Sequence, residues 1–104
     1  MELSYQKLAE IEKNGTPACL CTVIETSGSV PRKAGAKMIV YPDGTIEGTV
    51  GGGLVEKKVI EKALEQLSQN QPIIFSFDLV SEQGMTCGGM VKVYIEPVNS
   101  LKKL

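Results

Sequence analysis

The spacing of hydrophobic residues changes several times along the chain, and each change marks the start of a predicted element. Residues 2–14 hold isolated Leu and Ile residues among Glu, Lys and Gln and end at Asn14-Gly15, which predicts a short amphipathic helix. Residues 18–24 are nearly continuously apolar and β-branched, as in a central strand covered on both faces. Cys19 and Cys21 share one side of that strand, and we interpret them as small core side chains; a dithiol or ligand pair is the alternative.

The middle of the chain predicts a hairpin followed by a long helix. Pro42-Asp43-Gly44 is a turn signal between the apolar segments 38–41 and 45–50. Apolar residues at helical spacing then run from Leu54 to Gln69, with charged residues between them.

The end of the chain predicts two more strands, at 73–77 and 91–96. The order strand, helix, strand predicts a parallel, right-handed crossover between the segments near 46–50 and 73–77. We therefore predict one α/β domain over residues 1–104, with a mixed sheet of about five strands, a β-hairpin, a β-α-β crossover and two helices.

Three consecutive glycines, 51–53, stand where the hairpin passes into the long helix. Glycine permits the positive φ values of a sharp turn, and a helix start presents free N–H groups to an anion. We interpret the turn as a holder of a phosphorylated ligand; the alternative is a tight turn with close strand–helix packing. The P-loop pattern is absent from the sequence, and G-x-G-x-x-G fails because Glu56 stands at its third glycine.

Two long loops carry the remaining candidate chemistry. Residues 25–37 mix Gly, Ser and Pro with cations that suit phosphate or carboxylate, and a solvated loop of scattered charge is the alternative. Residues 79–90 are predicted as a second loop, in which Cys87 could be an exposed thiol among backbone N–H groups or a structural cysteine. The hairpin should bring the cationic loop and the glycine turn to the same end of its two strands.

Composition narrows the classes of function. The 104 residues carry a net charge of −1 and 5% aromatic residues, which argues against nucleic-acid binding and a charge-driven membrane role. The chain has no His, so zinc sites that need imidazole and Ser-His-Asp catalysis are excluded. No export signal or transmembrane run is visible, and the expected setting is the reducing cytoplasm.

Several short motifs, each weak alone, occur in an order and spacing that resembles a known family. They are Gly28-Ser29-Val30-Pro31-Arg32, Gly35-Ala36-Lys37-Met38, Asp43-Gly44, Gly48-Thr49-Val50-Gly51-Gly52-Gly53-Leu54-Val55-Glu56, Cys87-Gly88-Gly89 and Glu96-Pro97. Together they resemble the N-terminal domain of the XdhC/CoxI family, the accessory factors of xanthine dehydrogenase and related molybdenum hydroxylases. The resemblance runs from about Thr16 to Pro97.

The resemblance implies a maturation chaperone more than a catalyst. Family members are understood to bind the molybdenum cofactor (molybdopterin) as cargo, to protect it while its sulfido ligand is installed, and to pass it to the apo-hydroxylase. The implied partners are therefore an apo molybdenum hydroxylase and a cysteine desulfurase. Many members continue into a Rossmann-like domain, so a separate Rossmann-domain protein is a further expected partner; assembly into a homo-oligomer is left open.

Residue roles follow from the same resemblance. The cofactor-binding residues it implies are Ser29, Arg32, Lys37, Gly51, Gly52, Gly53, Glu56, Cys87 and Gly88. Arg32 is assigned to the phosphate or another anionic group, and Glu56 to hydrogen bonds from pterin nitrogens or from the loop. Cys87 is assigned to thiolate contact with molybdenum or to sulfur relay, and is the candidate catalytic residue. Two alternatives stay open: a sulfurtransferase with a persulfide on Cys87, and an assembly scaffold that binds no ligand.

Overall fold

A computed structural model of the chain describes residues 4–28, 34–80 and 86–99, with the backbone alone at 79–80 and 86–88. The described residues form two helices and five strands. In chain order these are α1 (Tyr5–Asn14), β1 (Ala18–Ser27), β2 (Lys37–Val40), β3 (Ile46–Gly48), α2 (Gly53–Gln69), β4 (Ile73–Val80) and β5 (Thr86–Val98).

The five strands form one sheet in the order β3-β2-β1-β5-β4, with β1 at its centre. The predicted small α/β domain with a hairpin and two helices is confirmed. One detail differs from the expected mixed sheet: every pair of neighbouring strands in the described residues is antiparallel. The strands on either side of α2 do run in the same direction, but α2 carries the chain across the sheet, so that β3 and β4 lie at opposite edges.

The main core lies between α2 and one face of the sheet. Val59 and Ala63 of α2 are fully buried, and they belong to one cluster with Cys19 and Cys21 of β1. The Cys19 thiol donates a hydrogen bond to the Ala63 carbonyl, with Sγ and O 3.2 Å apart. The predicted core role of the two cysteines is thus confirmed by their burial, and the helix stripe faces the sheet as its spacing predicts.

Helix α1 covers part of the opposite face. Ser4 caps its start, and Gly15 ends it in the left-handed conformation with φ 69°. Ile11 is the buried residue of the helix and packs with Ala18 and Ile39. The Asn99 side chain donates to the Ile11 carbonyl at 3.0 Å, which ties the end of β5 to this layer.

The second predicted loop is shorter than expected. β4 continues to Val80 and β5 begins at Thr86, and these two residues are cross-strand partners. Cys87 and Gly88 therefore lie in a strand and not in a loop, which corrects the prediction. Glycines have low strand propensity, so the local sequence indicated a loop; pairing with β4 overrides that local preference.

No helix within the described ranges is long and apolar enough to cross a membrane.

A glycine turn at the start of helix α2

The chain turns from β3 into α2 through residues 49–53. Gly48, the last residue of β3, has φ 78°, and Val50 is buried with 2% of its surface exposed. Gly51, Gly52 and Gly53 follow with φ values of 150°, 72° and 51°. Val50 anchors the segment in the core, and the three glycines reverse the chain above it. The predicted sharp strand-to-helix turn is confirmed.

Two of the glycines are required by backbone conformation and not by a crowding neighbour. A Cβ built on Gly52 or Gly53 meets nothing within 4 Å. Gly52 has φ 72° and ψ 179°, a combination that only glycine adopts without strain. Close strand–helix packing therefore does not explain these two residues, and the backbone there is open to an approaching group.

Thr49 holds the turn together through three hydrogen bonds. Its Oγ1 accepts from the N–H of Gly51 at 3.0 Å and from the N–H of Gly52 at 3.1 Å. The same hydroxyl donates to Oε2 of Glu56 at 2.8 Å. The Glu56 carboxylate thus accepts a hydrogen bond from the loop, which is one of the two partners predicted for it.

The first turn of α2 presents the remaining N–H groups. Its first intrahelical bond runs from the Glu56 N–H to the Gly52 carbonyl at 3.1 Å. Helix geometry leaves the N–H groups of Gly53, Leu54 and Val55 without an acceptor inside the helix, and Gly52 brings no side chain to cap them. These donors lie at the positive end of the helix dipole, which suits an anion.

The strand register brings part of the cationic loop to the same end of the sheet as the turn. Met38 and Gly48 are cross-strand partners, so Lys37 begins β2 where β3 leaves for the glycine turn. Lys37 is half-buried, and its Nζ donates to the Gly35 carbonyl at 3.4 Å. The expected juxtaposition of the two segments is confirmed for Lys37, whereas Ser29 and Arg32 lie outside the described residues.

Cys87 and Gly88 lie farther along the sheet. Tyr94 of β5 pairs with Thr22, and Thr22 pairs with Lys37, so Tyr94 lies at the level of Lys37 in the sheet. Cys87 stands seven residues earlier on β5, a distance of about 23 Å along an extended strand. We call this extension the arm: residues 24–27 of β1, 77–80 of β4 and 86–91 of β5. The Cys87 side chain is outside what the structure describes, and its ligand role stays a prediction.

The other two cysteines are not suited to thiolate chemistry. Burial, with a smaller contribution from the Glu96 carboxylate, raises the pKa of the Cys19 thiol to about 11. Burial raises the pKa of Cys21 further still, helped by Cys19 and Glu96. A thiol that stays protonated is a poor nucleophile and a poor metal ligand. The described residues also hold no cluster of three His, Cys, Asp or Glu side chains that would suit a metal ion.

A groove of about 390 Å³ lies away from the turn, between α1 and the sheet. Its walls are apolar except for Glu12 and Asn99, with Leu8, Ile11, Leu20, Ile39 and Val98 forming the rest. An apolar groove with a carboxylate at its wall does not favour an anionic ligand, so the glycine turn is the better candidate.

The prediction from sequence missed Thr49. Its hydroxyl organises the turn, yet it stands between a strand and a glycine run where it resembles an ordinary strand residue. The available signal was a Thr placed two residues before a glycine pair, because Ser and Thr hydroxyls often bond to backbone N–H groups two or three residues ahead.

Comparisons with known proteins agree with these features. The model of the XdhC and CoxI family matches residues 11–78. "Uncharacterized protein YqeB" of Escherichia coli (strain K12) is 36% identical over 88% of this chain and 17% of its own length. "Molybdenum cofactor insertion chaperone PaoD" of the same organism is 32% identical over 88% of this chain and 30% of its own length.

A solved structure shows the same fold. The crystal structure of a xanthine dehydrogenase from Bacillus halodurans matches with a TM-score of 0.77 and 33% identity, over 91% of this chain and 30% of that one. The chain thus spans less than a third of the length of these relatives. By the family match and by these similarities over most of its length, the chain belongs to the XdhC and CoxI family.

Proposed function

We propose that the chain binds the molybdenum cofactor as cargo and assists its sulfuration and insertion into a xanthine dehydrogenase-type hydroxylase. The observation that carries the proposal is the similarity to the relative named a molybdenum cofactor insertion chaperone. That similarity covers 88% of this chain, so it leaves out only residues near the ends and includes the glycine turn. Cargo binding and transfer, and not turnover, is therefore the proposed activity.

The chemistry of the turn supports an anionic ligand. The cofactor carries a phosphate tail, and phosphates bind well to free N–H groups at a helix start. Gly53, Leu54 and Val55 offer such groups, and Lys37 adds a positive charge at the same end of the sheet. Ser29 and Arg32 belong to the segment that leads into Lys37, and we assign them to the same phosphate or another anionic group.

Glu56 supports contact with the pterin. A carboxylate accepts several hydrogen bonds, so Glu56 can hold the Thr49 hydroxyl and also accept from a pterin N–H. An anion on the amides and an N–H donor on the carboxylate would orient the ligand along the start of α2. Gly51 and Gly52 contribute the shape of the turn, because Thr49 already occupies their N–H groups.

Cys87 is the proposed contact for the molybdenum end. Because Cys19 and Cys21 are buried with raised pKa values, Cys87 is the remaining cysteine of the chain for thiolate or sulfur chemistry. Cys87 stands about 23 Å along β5 from the level of Lys37, farther than a pterin dithiolene with its phosphate extends, so the contacts at Lys37 and at Cys87 would be made in succession during transfer. Gly88 would allow close approach there.

The proposed partners follow from the transfer step. An apo-hydroxylase receives the cofactor, and a cysteine desulfurase supplies its sulfur, in the cytoplasm. A separate Rossmann-domain protein is the third proposed partner, as the family resemblance implies.

The test is anaerobic titration of the purified chain with the molybdenum cofactor. We expect Arg32→Ala to weaken binding about tenfold, as loss of a charge-assisted contact does. Cys87→Ala should also bind more weakly. Lys13→Ala is the matched control, because it removes one exposed positive charge from α1, on the face of the sheet opposite α2. Absence of binding by the unmodified chain, or equal loss in Lys13→Ala, would contradict the proposal.

The sulfurtransferase alternative has its own measurement. After incubation with a cysteine desulfurase and cysteine, a persulfide would add one sulfur to the mass of the Cys87 peptide. The expected result for a cargo chaperone is cofactor binding without that added mass. A persulfide on Cys87 in a chain that does not bind cofactor would instead establish sulfur transfer as the function.

A further inference from the structure

The Thr49 side chain uses its full hydrogen-bonding capacity within the glycine turn. Its hydroxyl accepts from two consecutive N–H groups, at 3.0 and 3.1 Å, and donates to Glu56 at 2.8 Å. A hydroxyl has one hydrogen and two lone pairs, so these three bonds use all of its capacity. One side chain therefore joins the strand end, the turn and the first helical turn.

We propose that Thr49 is a positioning residue that decides which N–H groups of the turn a ligand can use. It occupies the N–H groups of Gly51 and Gly52, whereas those of Gly53, Leu54 and Val55 at the helix start have no acceptor inside the helix. It also fixes Glu56, whose carboxylate would otherwise be drawn towards the same N–H groups and compete with an anionic ligand. This inference rests on the proposed function, because the ligand is the cofactor named there.

The open space around the turn explains why such a holding residue is needed. Gly52 and Gly53 have no neighbour within 4 Å of a built Cβ, so side-chain packing does not fix their backbone. Glycines lose much conformational freedom when they are ordered. Without the Thr49 hydroxyl, the turn would keep its anchor at Val50 but would lose the bonds that define its conformation.

The variants that test this inference differ by single groups. Thr49→Val replaces the hydroxyl with a methyl group of similar size, and Thr49→Ser keeps the hydroxyl. Thr45→Val is the matched control, because the Thr45 hydroxyl donates to Asp43 at 2.7 Å in the hairpin turn at the other end of β3. The urea unfolding curve of each variant establishes that it is folded before comparison.

The first readout is amide hydrogen exchange, measured by NMR on each ¹⁵N-labelled chain without ligand. In Thr49→Val, exchange at Gly51 and Gly52 should rise about fivefold or more, the loss expected from one hydrogen bond. Thr49→Ser and Thr45→Val should exchange as the unmodified chain does at these two positions. Unchanged exchange in Thr49→Val would overturn the holding role of Thr49, whatever the cofactor does.

The second readout is affinity for the molybdenum cofactor under anaerobic conditions. Thr49→Val should bind about tenfold more weakly, and Thr49→Ser should restore binding. Faster exchange in Thr49→Val with unchanged affinity would overturn the positioning role and leave the proposed function intact. Absence of binding by the unmodified chain would overturn the proposed function and, with it, the role of Thr49 in positioning the ligand. The exchange data would then still decide whether Thr49 holds the turn. If Thr49→Val fails to fold, failure of Thr49→Ser to match the unmodified chain in both readouts overturns the inference.

Discussion

Replacement of Gly52 by alanine isolates the backbone requirement of the glycine turn. An alanine Cβ at this position meets nothing within 4 Å, so the substitution causes no collision. It must, however, adopt φ 72° and ψ 179°, where only glycine is free of strain. The whole effect of Gly52→Ala on stability should therefore come from backbone conformation.

Two opposing effects set the free-energy cost of Gly52→Ala. Backbone strain in this region costs about 1–3 kcal/mol, and reduced freedom of the unfolded chain returns about 0.4–1 kcal/mol. Gly15→Ala is the matched control, because Gly15 is also open to solvent but has φ 69° and ψ 24°, a left-handed conformation that other residues adopt at a cost of about 1 kcal/mol. We expect Gly52→Ala to lose about 1 kcal/mol more than Gly15→Ala.

Urea unfolding monitored by circular dichroism measures both free energies of unfolding. If the turn instead rearranges to relieve the strain, the amide resonances of residues 51–55 will move while stability changes little, and cofactor affinity should then fall. Gly15→Ala should leave affinity unchanged. A Gly52→Ala variant with the stability, spectrum and affinity of the unmodified chain would refute the assigned turn conformation.

Three further predictions concern the core and its titrating groups. Val59→Ala should lower the free energy of unfolding by about 2 kcal/mol, because Val59 is fully buried on the side of α2 that faces the sheet. Glu61→Ala on the exposed side of α2 should change it by less than about 0.5 kcal/mol in urea titrations. Cys19 and Cys21 should resist a thiol reagent at pH 8 in the folded chain and react in urea, and rapid native labelling of either, mapped by mass spectrometry, would contradict their raised pKa values. The free energy of unfolding should fall as pH rises from about 9 to 11. Because burial raises the pKa of the Cys19 thiol to about 11, the folded chain keeps a proton there that the unfolded chain has already released. Tyr41, whose pKa is raised to about 12 by burial and Glu47, adds to the loss. A Cys19→Ala variant should show a shallower fall in urea unfolding between pH 8 and pH 10.

Local signals in the sequence predicted most of the fold. Asn14-Gly15 marks the end of α1, Pro42-Asp43-Gly44 marks the hairpin turn, and the stripe from 54 to 69 matches α2 to within one residue. Each of these signals determines the backbone conformation within a few residues of its own position, so the sequence alone was sufficient to place α1, the hairpin turn and α2.

Long-range pairing was harder to predict. The order of strands depends on how far α2 carries the chain across the sheet, and no single segment encodes that distance. The extension of β5 to Thr86 depends on partners in β1 and β4, because a Cys-Gly-Gly sequence does not favour a strand by itself. The loop prediction for Cys87 was wrong for that reason.

In the candidate site, too, features set by the local sequence were predicted, and features that depend on tertiary contacts were not. The glycine turn and its position at a helix start were predicted, because three consecutive glycines between a strand and a helix have few other uses. Thr49 was missed, since its role depends on hydrogen bonds that form only when the turn closes. Glu56 was predicted with two alternative partners, and one of them, the loop, is present as the Thr49 hydroxyl.

An NMR titration of the ¹⁵N-labelled chain with the molybdenum cofactor under anaerobic conditions tests most directly whether the cofactor binds at the glycine turn. We expect the largest amide shifts at Gly53, Leu54 and Val55, with smaller shifts near Lys37. Saturable binding whose shifts instead cluster around the α1 groove near Leu8 and Val98, or a spectrum that the cofactor leaves unchanged, would contradict this expectation.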